Sequence, residues 1–331
     1  MSSSNYDQFD HLEEINELGV PQGASRVRNL PKKQPRPRRK DLYNKISEPE
    51  TAHAIYAQRD DLRFLNFTYQ ASRTERGWLI DSLGGFYEQH WFDDVLQIVK
   101  GGKEASVYQC RGNAASGAEF VAAKVFRPRM FRSLKNDALY RQGRAMLDSD
   151  GLIIKEEGML KAIGQRSDYG LDLTHVSWIE HEARALRRLH AAGADVPQVY
   201  ASGDNALLMS YVGDAQLAAP TLIAVRLEPH LAAVLFDRVL QNIDLMLGLR
   251  IVHGDLSAYN ILYWEEQITL IDFPQVVDPY NNPDAFMIFA RDVRRVCEYF
   301  ARQGVRADPV QLAEDLWLAH RLPREEPLPE E

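Results

Sequence analysis

Residues 251–278 read IVHGDLSAYNILYWEEQITLIDFPQVVD and contain three side chains of the type and spacing for phosphate chemistry, Asp255, Asn260 and Asp272. Two carboxylates and an amide sit on short turns bounded by the apolar runs 261–263 and 268–271. Each run fits a short buried strand, so the polar groups would cluster at strand ends, facing a cleft. Hard Mg²⁺ takes oxygen ligands, commonly one or two carboxylates together with substrate phosphates. Asn260 and Asp272 can supply those ligands, which leaves Asp255 to orient an acceptor group. Asp and Asn also dominate ordinary turns, so each of the three alone reads equally well as a hairpin cap. The whole string does not.

A lysine inside the apolar run FVAAKVF (120–126) is costly unless it is paired. Glu182, in the segment WIEHEARALRRLH (178–190), is the natural partner of Lys124, and Glu180 competes for the role. One turn of helix is not arbitrated by sequence, and an unpaired Lys on an edge strand is the plainer alternative. Ahead of this run, GGKEASVY (101–108) fits a glycine hairpin whose backbone N–H groups approach phosphate oxygens. Gly101, Gly102, Lys103, Ser106 and Val107 are the candidate nucleotide contacts there, although a hairpin without a ligand explains the same residues. The apolar run LLMSYV (207–212) ends at Gly213 and puts Met209 and Tyr211 at the junction of two halves, as further contacts. Ser257, beside Asp255, reads best as a turn hydroxyl.

The elements that must position these groups follow from periodicity. Residues 75–90 predict a helix broken near Gly84-Gly85, leading into the run 91–99. The runs 102–108 and 120–126 flank Gly-containing turns and predict a twisted antiparallel sheet. Residues 178–190 predict an amphipathic helix with Trp178, Ala185, Leu186 and Leu189 near one face. Further helices are expected over 232–249 and 284–302, the latter with Phe286, Phe289, Val293, Val296 and Phe300 at core spacing. The expected fold is α+β and bilobal, with an N-terminal antiparallel sheet plus helix and a reduced helical C-terminal lobe. The expected boundaries are a basic, flexible extension over 1–74, a first lobe over 75–212, a catalytic lobe over 213–320 and an acidic tail over 321–331. A charged stretch at 128–175 reads as a partly mobile insertion in the first lobe.

Composition narrows the classes. With 45% hydrophobic and 10% aromatic residues, the chain is ordinary globular material. No stretch has the ~18 uninterrupted apolar residues of a membrane span, and the first residues lack a secretory pattern. Cys110 and Cys297 are the only cysteines, too few for a disulfide framework or zinc spacing. A cytoplasmic protein is expected, and a net charge of −8 argues against general nucleic-acid binding. The exception is PKKQPRPRRK (31–40), a proline-rich basic tract that either contacts RNA or another polyanion or serves as a solvated linker.

Several of these segments resemble parts of protein kinases. VAAK (121–124) is similar to the strand whose Lys contacts the α- and β-phosphates. HGDLSAYN (253–260) follows the catalytic-loop pattern, with Gly254 where most protein kinases carry Arg, and Asp272-Phe273-Pro274 stands in place of Asp-Phe-Gly. The glycine-loop pattern is met by Gly102 alone, with Lys100 and Ala105 at the outer positions. More closely, GKEASVY, the Lys124 strand, WIEHEARALRRL, LLMSYVG, HGDLSAYNIL and IDFPQ resemble, in order, the RIO family of atypical serine/threonine protein kinases. IDFPQ is worded as in the second RIO subfamily, whereas the body resembles the first subfamily or a bacterial offshoot.

The resemblance implies an ATP- and Mg²⁺-dependent kinase or ATPase, with Mn²⁺ as a second candidate ion. Asp255 would orient the nucleophile, Asn260 and Asp272 would hold the metal, and Lys124 and the glycine hairpin would hold the phosphates. It also implies a link to ribosome assembly, and with it a ribosomal particle as partner, and an aspartyl-phosphate intermediate at Asp272. With Tyr211 close in sequence to Asp255 and a short chain after Asp272, there is no room for an activation loop or a large peptide-binding sub-lobe. The protein substrate is not named by any of these residues. Two other readings stand beside this one: a small-molecule phosphotransferase like aminoglycoside or choline kinases, and an ATP-gated assembly factor that uses hydrolysis as a switch.

Overall fold

The computed structural model describes residues 67–102, 104–126, 140 and 142–324. Lys103, the basic tract 31–40 and the acidic end from 325 onward lie outside the described residues. A first helix, α1 (Arg73–Glu88), precedes three strands, β1 (Asp94–Gly101), β2 (Ala105–Arg111) and β3 (Phe120–Phe126). Then come α2 (Glu157–Gly164), α3 (Asp168–Ala191), β4 (Val199–Ser202) and β5 (Ala206–Ser210). The second half holds α4 (Pro229–Gly248), the hairpin β6 (Ile261–Trp264) and β7 (Gln267–Leu270), then α5 (Ala285–Arg302) and α6 (Pro309–Ala319). The five strands form one antiparallel sheet in the order β1-β2-β3-β5-β4. With the mainly helical second half, this is an α+β, bilobal, kinase-like fold, as the sequence predicts. No helix among the described residues is long and apolar enough to cross a membrane.

The run FVAAKVF lacks polar alternation because β3 is covered on both faces. Successive side chains of a strand point to opposite faces. Val121, Ala123 and Val125 join Ala206 and Leu208 of β5 in the core beneath α1, with Leu79, Leu83 and Phe86. Ala122 and Phe126 join Leu207 and Met209 in the other core, with Ile179, Ala183 and Leu186 of α3. Lys124 shares the parity of Ala122 and Phe126, so it is sent toward α3.

Two helix expectations change. The first helix is not broken at Gly84-Gly85 but runs unbroken from Arg73 to Glu88, capped by Ser72. Glycine costs a helix about 1 kcal/mol relative to Ala, and burial of Leu79, Leu83 and Phe86 on the sheet outweighs that cost. The helix carrying Glu182 starts at Asp168, ten residues ahead of Trp178, because the Ser167 hydroxyl accepts from Gly170 N–H as its N-cap. Gly170 also lets α3 abut α2, since a Cβ there would lie 2.0 Å from the Ala162 carbonyl oxygen. The helix α6 and the short β4 carry no pattern that the sequence reading singled out.

Candidate active site

Three elements bring one charged triad together. Lys124 Nζ, from β3, lies 2.6 Å from Glu182 Oε1 of α3 and 2.7 Å from Asp272 Oδ1 beyond β7. Glu180 takes no part, pairing instead with Arg187 at 3.6 Å. Glu182 is 1% exposed, its Oε1 also accepts the Phe273 N–H at 3.2 Å, and its Oε2 is buried without a partner. Burial raises the Glu182 carboxyl above its ordinary value against the opposing pull of Lys124. For Asp272, burial works upward too, but Lys124 overrides it and the carboxyl ends below its ordinary value. Lys124 is held protonated, because the two carboxylates outweigh the burial that would discharge it. Asp272 sits at φ +70°, a left-handed conformation uncommon outside glycine.

The catalytic-loop candidates form a second cluster. Asn260 Nδ2 donates to the Asp255 carbonyl at 2.9 Å and to Asp255 Oδ2 at 3.1 Å. The other Asp255 oxygen, Oδ1, accepts from Arg295 Nη1 of α5 at 2.9 Å. His253 is buried, and its Nδ1 accepts the Asp255 N–H at 3.2 Å, so the proton must sit on Nε2, which donates to the Ile271 carbonyl at 3.1 Å. Burial depresses the His253 pKa, in keeping with this neutral tautomer. The ring packs on Phe273 at 4.3 Å between centroids, which couples the loop at Asp255 to the loop at Asp272. Ile271 N–H donates to the Asn260 carbonyl at 2.9 Å and closes the same link through the backbone.

Between the sheet and the β6–β7 hairpin lies a cavity of about 990 Å³, at the upper end of the ~300–1,000 Å³ usual for small-molecule sites. Of the sequence candidates, Gly102, Val107, Lys124, Glu182, Met209, Tyr211 and Asp272 line it. Gly101, Ser106, Asp255 and Asn260 are not among its lining residues. Ser106 is turned away for a simple reason: it lies between Ala105 and Val107, which face the cavity, and strand parity sends it to the opposite face. At Gly102 a Cβ would stand 2.7 Å from the Ala105 carbonyl oxygen, so only glycine closes this hairpin.

The donor set fits a hard divalent cation. With both Nδ2 hydrogens of Asn260 spent on Asp255, its Oδ1 has no hydrogen-bond partner among the described residues, nor has Oδ2 of Asp272. An amide oxygen and a carboxylate oxygen are the ligand types Mg²⁺ prefers.

Three residues that hold the Asp255 loop, Arg291, Asp292 and Arg295, were not legible in the sequence. Asp292 of α5 accepts the Gly254 N–H at 2.8 Å, and Arg291 donates to the Gly254 carbonyl, so both fasten the loop that carries Asp255. Asp292 lies on the apolar stripe with Phe289, Val293 and Val296; a carboxylate on a buried face is the signal that could have found it. Arg295 gives no such signal. Gly254 itself adopts φ +84°, and a Cβ there would meet the Gln275 carbonyl oxygen at 2.3 Å.

Asp292 carries a pH prediction. Burial pushes its carboxyl up to about 7, with Arg291 opposing. The folded state therefore binds a proton that the unfolded chain, near 3.8, releases. This contribution to stability is complete below that value and is lost as pH rises through about 7. Asp292→Asn keeps an acceptor for Gly254 N–H and should flatten the decline, as read from urea unfolding between pH 4 and pH 8.

A family model described as the RIO domain matches residues 157–312. The RIO-type serine/threonine-protein kinase Rio1 of Thermoplasma acidophilum is 30% identical over 201 residues, covering 61% of this chain and 95% of that protein. Rio1 of Haloferax volcanii is 30% identical over 64% of this chain and 65% of that one. The serine/threonine-protein kinase RIO3 of Bos taurus is 35% identical over 133 residues, but only a quarter of its length (25%) is covered. Among solved structures, the Chaetomium thermophilum Rio2 kinase in its ADP/Mg²⁺-phosphoaspartate complex superposes with a TM-score of 0.51. That match is 21% identical, covers 72% of this chain and 65% of that one, and speaks for the fold. On the sequence matches, the chain belongs to the RIO family of atypical serine/threonine protein kinases.

Proposed function

We propose that the chain transfers the γ-phosphate of ATP to a hydroxyl in a Mg²⁺-dependent reaction. The observation that carries this reading is Lys124, held at 2.6 Å and 2.7 Å by Glu182 and Asp272 on the wall of a nucleotide-sized cleft. An ammonium has three donors; two are spent on the carboxylates and the third is left for phosphate oxygens. Gly102 supplies a wall without a side chain, and Val107, Met209 and Tyr211 give the cleft its apolar lining. Asn260 and Asp272 would hold the metal, which would neutralise charge on the phosphates.

Asp255 accepts the proton of the attacking hydroxyl as its oxygen bonds to the γ-phosphorus and the bridging bond to ADP breaks. Arg295 and Asn260 fix the Asp255 carboxylate from its two sides. Arg295→Ala should therefore lower kcat with little change in the KM for ATP, as initial rates at saturating acceptor would reveal.

A second reading is hydrolysis used as a switch. Oδ2 of Asp272, without a partner among the described residues, favours it: in this reading that oxygen, instead of holding metal, attacks the γ-phosphorus as the bond to ADP breaks, and water then releases the phosphate. The Rio2 structure's phosphoaspartate belongs to that protein, and Asp272 is the residue at which this chain would form one. A ribosomal particle is the partner to try, and the tract 31–40 the segment to delete. The deciding experiment follows γ-labelled ATP with and without such particles. Stable label on Ser or Thr supports the kinase, and hydroxylamine-sensitive label with free phosphate supports the switch. Turnover seen only with added aminoglycosides, choline or sugars would overturn both.

A further inference from the structure

A second cavity, of about 250 Å³, shares no lining residue with the cleft. Arg184 and Arg188 of α3 face it together with Arg144, Arg250, His181 and Asp278. Four arginines against one carboxylate is an unusual balance in a chain whose net charge is −8. Arg250 pairs with Asp278 at 3.0 Å. Arg188 donates to the Leu249 carbonyl at 2.7 Å, a bond that holds the guanidinium without neutralising it. Arg184 has no hydrogen bond or ion pair among the described residues. Like charges four apart on a helix repel, so Arg184 and Arg188 cost stability unless an anion joins them.

We propose that this cavity binds a phosphate anion, free or esterified to a side chain, and that the anion clamps α3 to the segment after Asp272. Guanidinium forks match phosphate oxygens in bidentate fashion. The volume lies just under the ~300–1,000 Å³ of drug-sized sites, which suits a phosphoryl group better than a nucleotide. The walls come from four places: α3, the chain before α2, the turn after α4, and the stretch 276–281. Arg144 already reaches across, donating to the Pro274 carbonyl at 3.1 Å and to the Val276 carbonyl.

His181 registers the field of this pocket. Its Nε2 donates to the Ala145 carbonyl at 2.7 Å, and its pKa is pushed down to about 4 by burial and then by Arg144 and Arg184. Arg188, Arg250 and Asp278 complete the charges lining the cavity. An anion among them reverses the local potential and must raise the His181 pKa. The clamp rests on Glu182 acting through α3, as proposed above; the binding does not.

The test titrates inorganic phosphate into the full chain at constant ionic strength, with Mg-ADP present to fill the cleft. The His181 ring resonance, assigned with His181→Gln, is followed across pH. A saturable rise of about one unit in its pKa is expected, with affinity reduced about tenfold or more in the Arg184→Ala/Arg188→Ala double variant. Arg187→Ala, whose side chain faces Glu180, should bind as the parent does. Amide exchange over α3 should slow with phosphate in the parent and not in the double variant.

Phosphatase treatment distinguishes the sources. If it resets a His181 that was already shifted, the occupant is a phosphorylated side chain of the protein. If treated and untreated protein respond alike to added phosphate, the occupant is the free ion. An unmoved His181, or equal affinity in the double variant, overturns the site, and binding without slower exchange overturns the clamp. A His181 response in protein that turns over no ATP would keep the site and refute the kinase reading alone.

Discussion

Asp255→Asn is expected to lower γ-phosphate turnover by about 10²–10⁴-fold with the melting temperature nearly unchanged. On the proposed mechanism, the substitution removes the charge that would accept the hydroxyl proton and little else. The Asp255 side chain is 44% exposed, and its partners Arg295 and Asn260 hold an exterior pair that is cheap to weaken. Turnover of γ-labelled ATP and a thermal melt on the same preparation check both halves. Retained turnover in a folded variant would remove Asp255 from the chemistry. Asp272→Asn is the natural companion, since Asn tolerates the left-handed φ of +70° that position 272 adopts. It should also lose turnover and stay folded, which separates chemistry from backbone strain.

Lys124→Met should act on stability as much as on activity. It leaves Glu182, 1% exposed, with only the Phe273 N–H for its charge. Breaking a buried pair by removing one member costs about 3–5 kcal/mol. The sign of the pH effect follows from linkage. Burial already raises the Glu182 carboxyl above 4.5, and losing Lys124 raises it further. The folded variant then holds a proton that the unfolded chain releases, so its stability falls as pH rises above about 4.5. Urea unfolding at pH 5 and pH 8 should find the variant much weaker at pH 8, and adding Glu182→Gln should recover most of the loss. Equal stability at both pH values, with no rescue, would refute the buried-charge account.

How much of this was legible in the sequence depends on how local each cause is. Strand β3 was readable because its apolar run is continuous, and the hairpin β6–β7 because two short runs flank a polar turn. The helical stretch at 178–190 was readable from its stripe, whereas its true start was not, since the Ser167 cap lies well upstream of it, in a stretch with no apolar period. The triad at Lys124 needed the fold: helix phase alone leaves Glu180 and Glu182 equal, and packing of Ile179, Ala183 and Leu186 turns Glu182 inward. Asp292 was hidden by its neighbours, because a stripe of Phe and Val reads as core and draws the eye past one carboxylate. Arg295 and the arginines around His181 come from distant segments, and no spacing in one dimension reports a convergence made by tertiary packing.

Gly254 bears on what this protein could become. In the usual kinase loop an arginine precedes the catalytic aspartate, yet here any side chain would drive its Cβ to 2.3 Å from the Gln275 carbonyl oxygen. The two backbones lie in direct contact, and the φ of +84° adds about 1–2 kcal/mol of strain for any L-residue. An arginine introduced here by one substitution would have to pry this seam open before its side chain could meet a phosphate. The Gln275 carbonyl therefore keeps position 254 to glycine for as long as the two loops stay in contact.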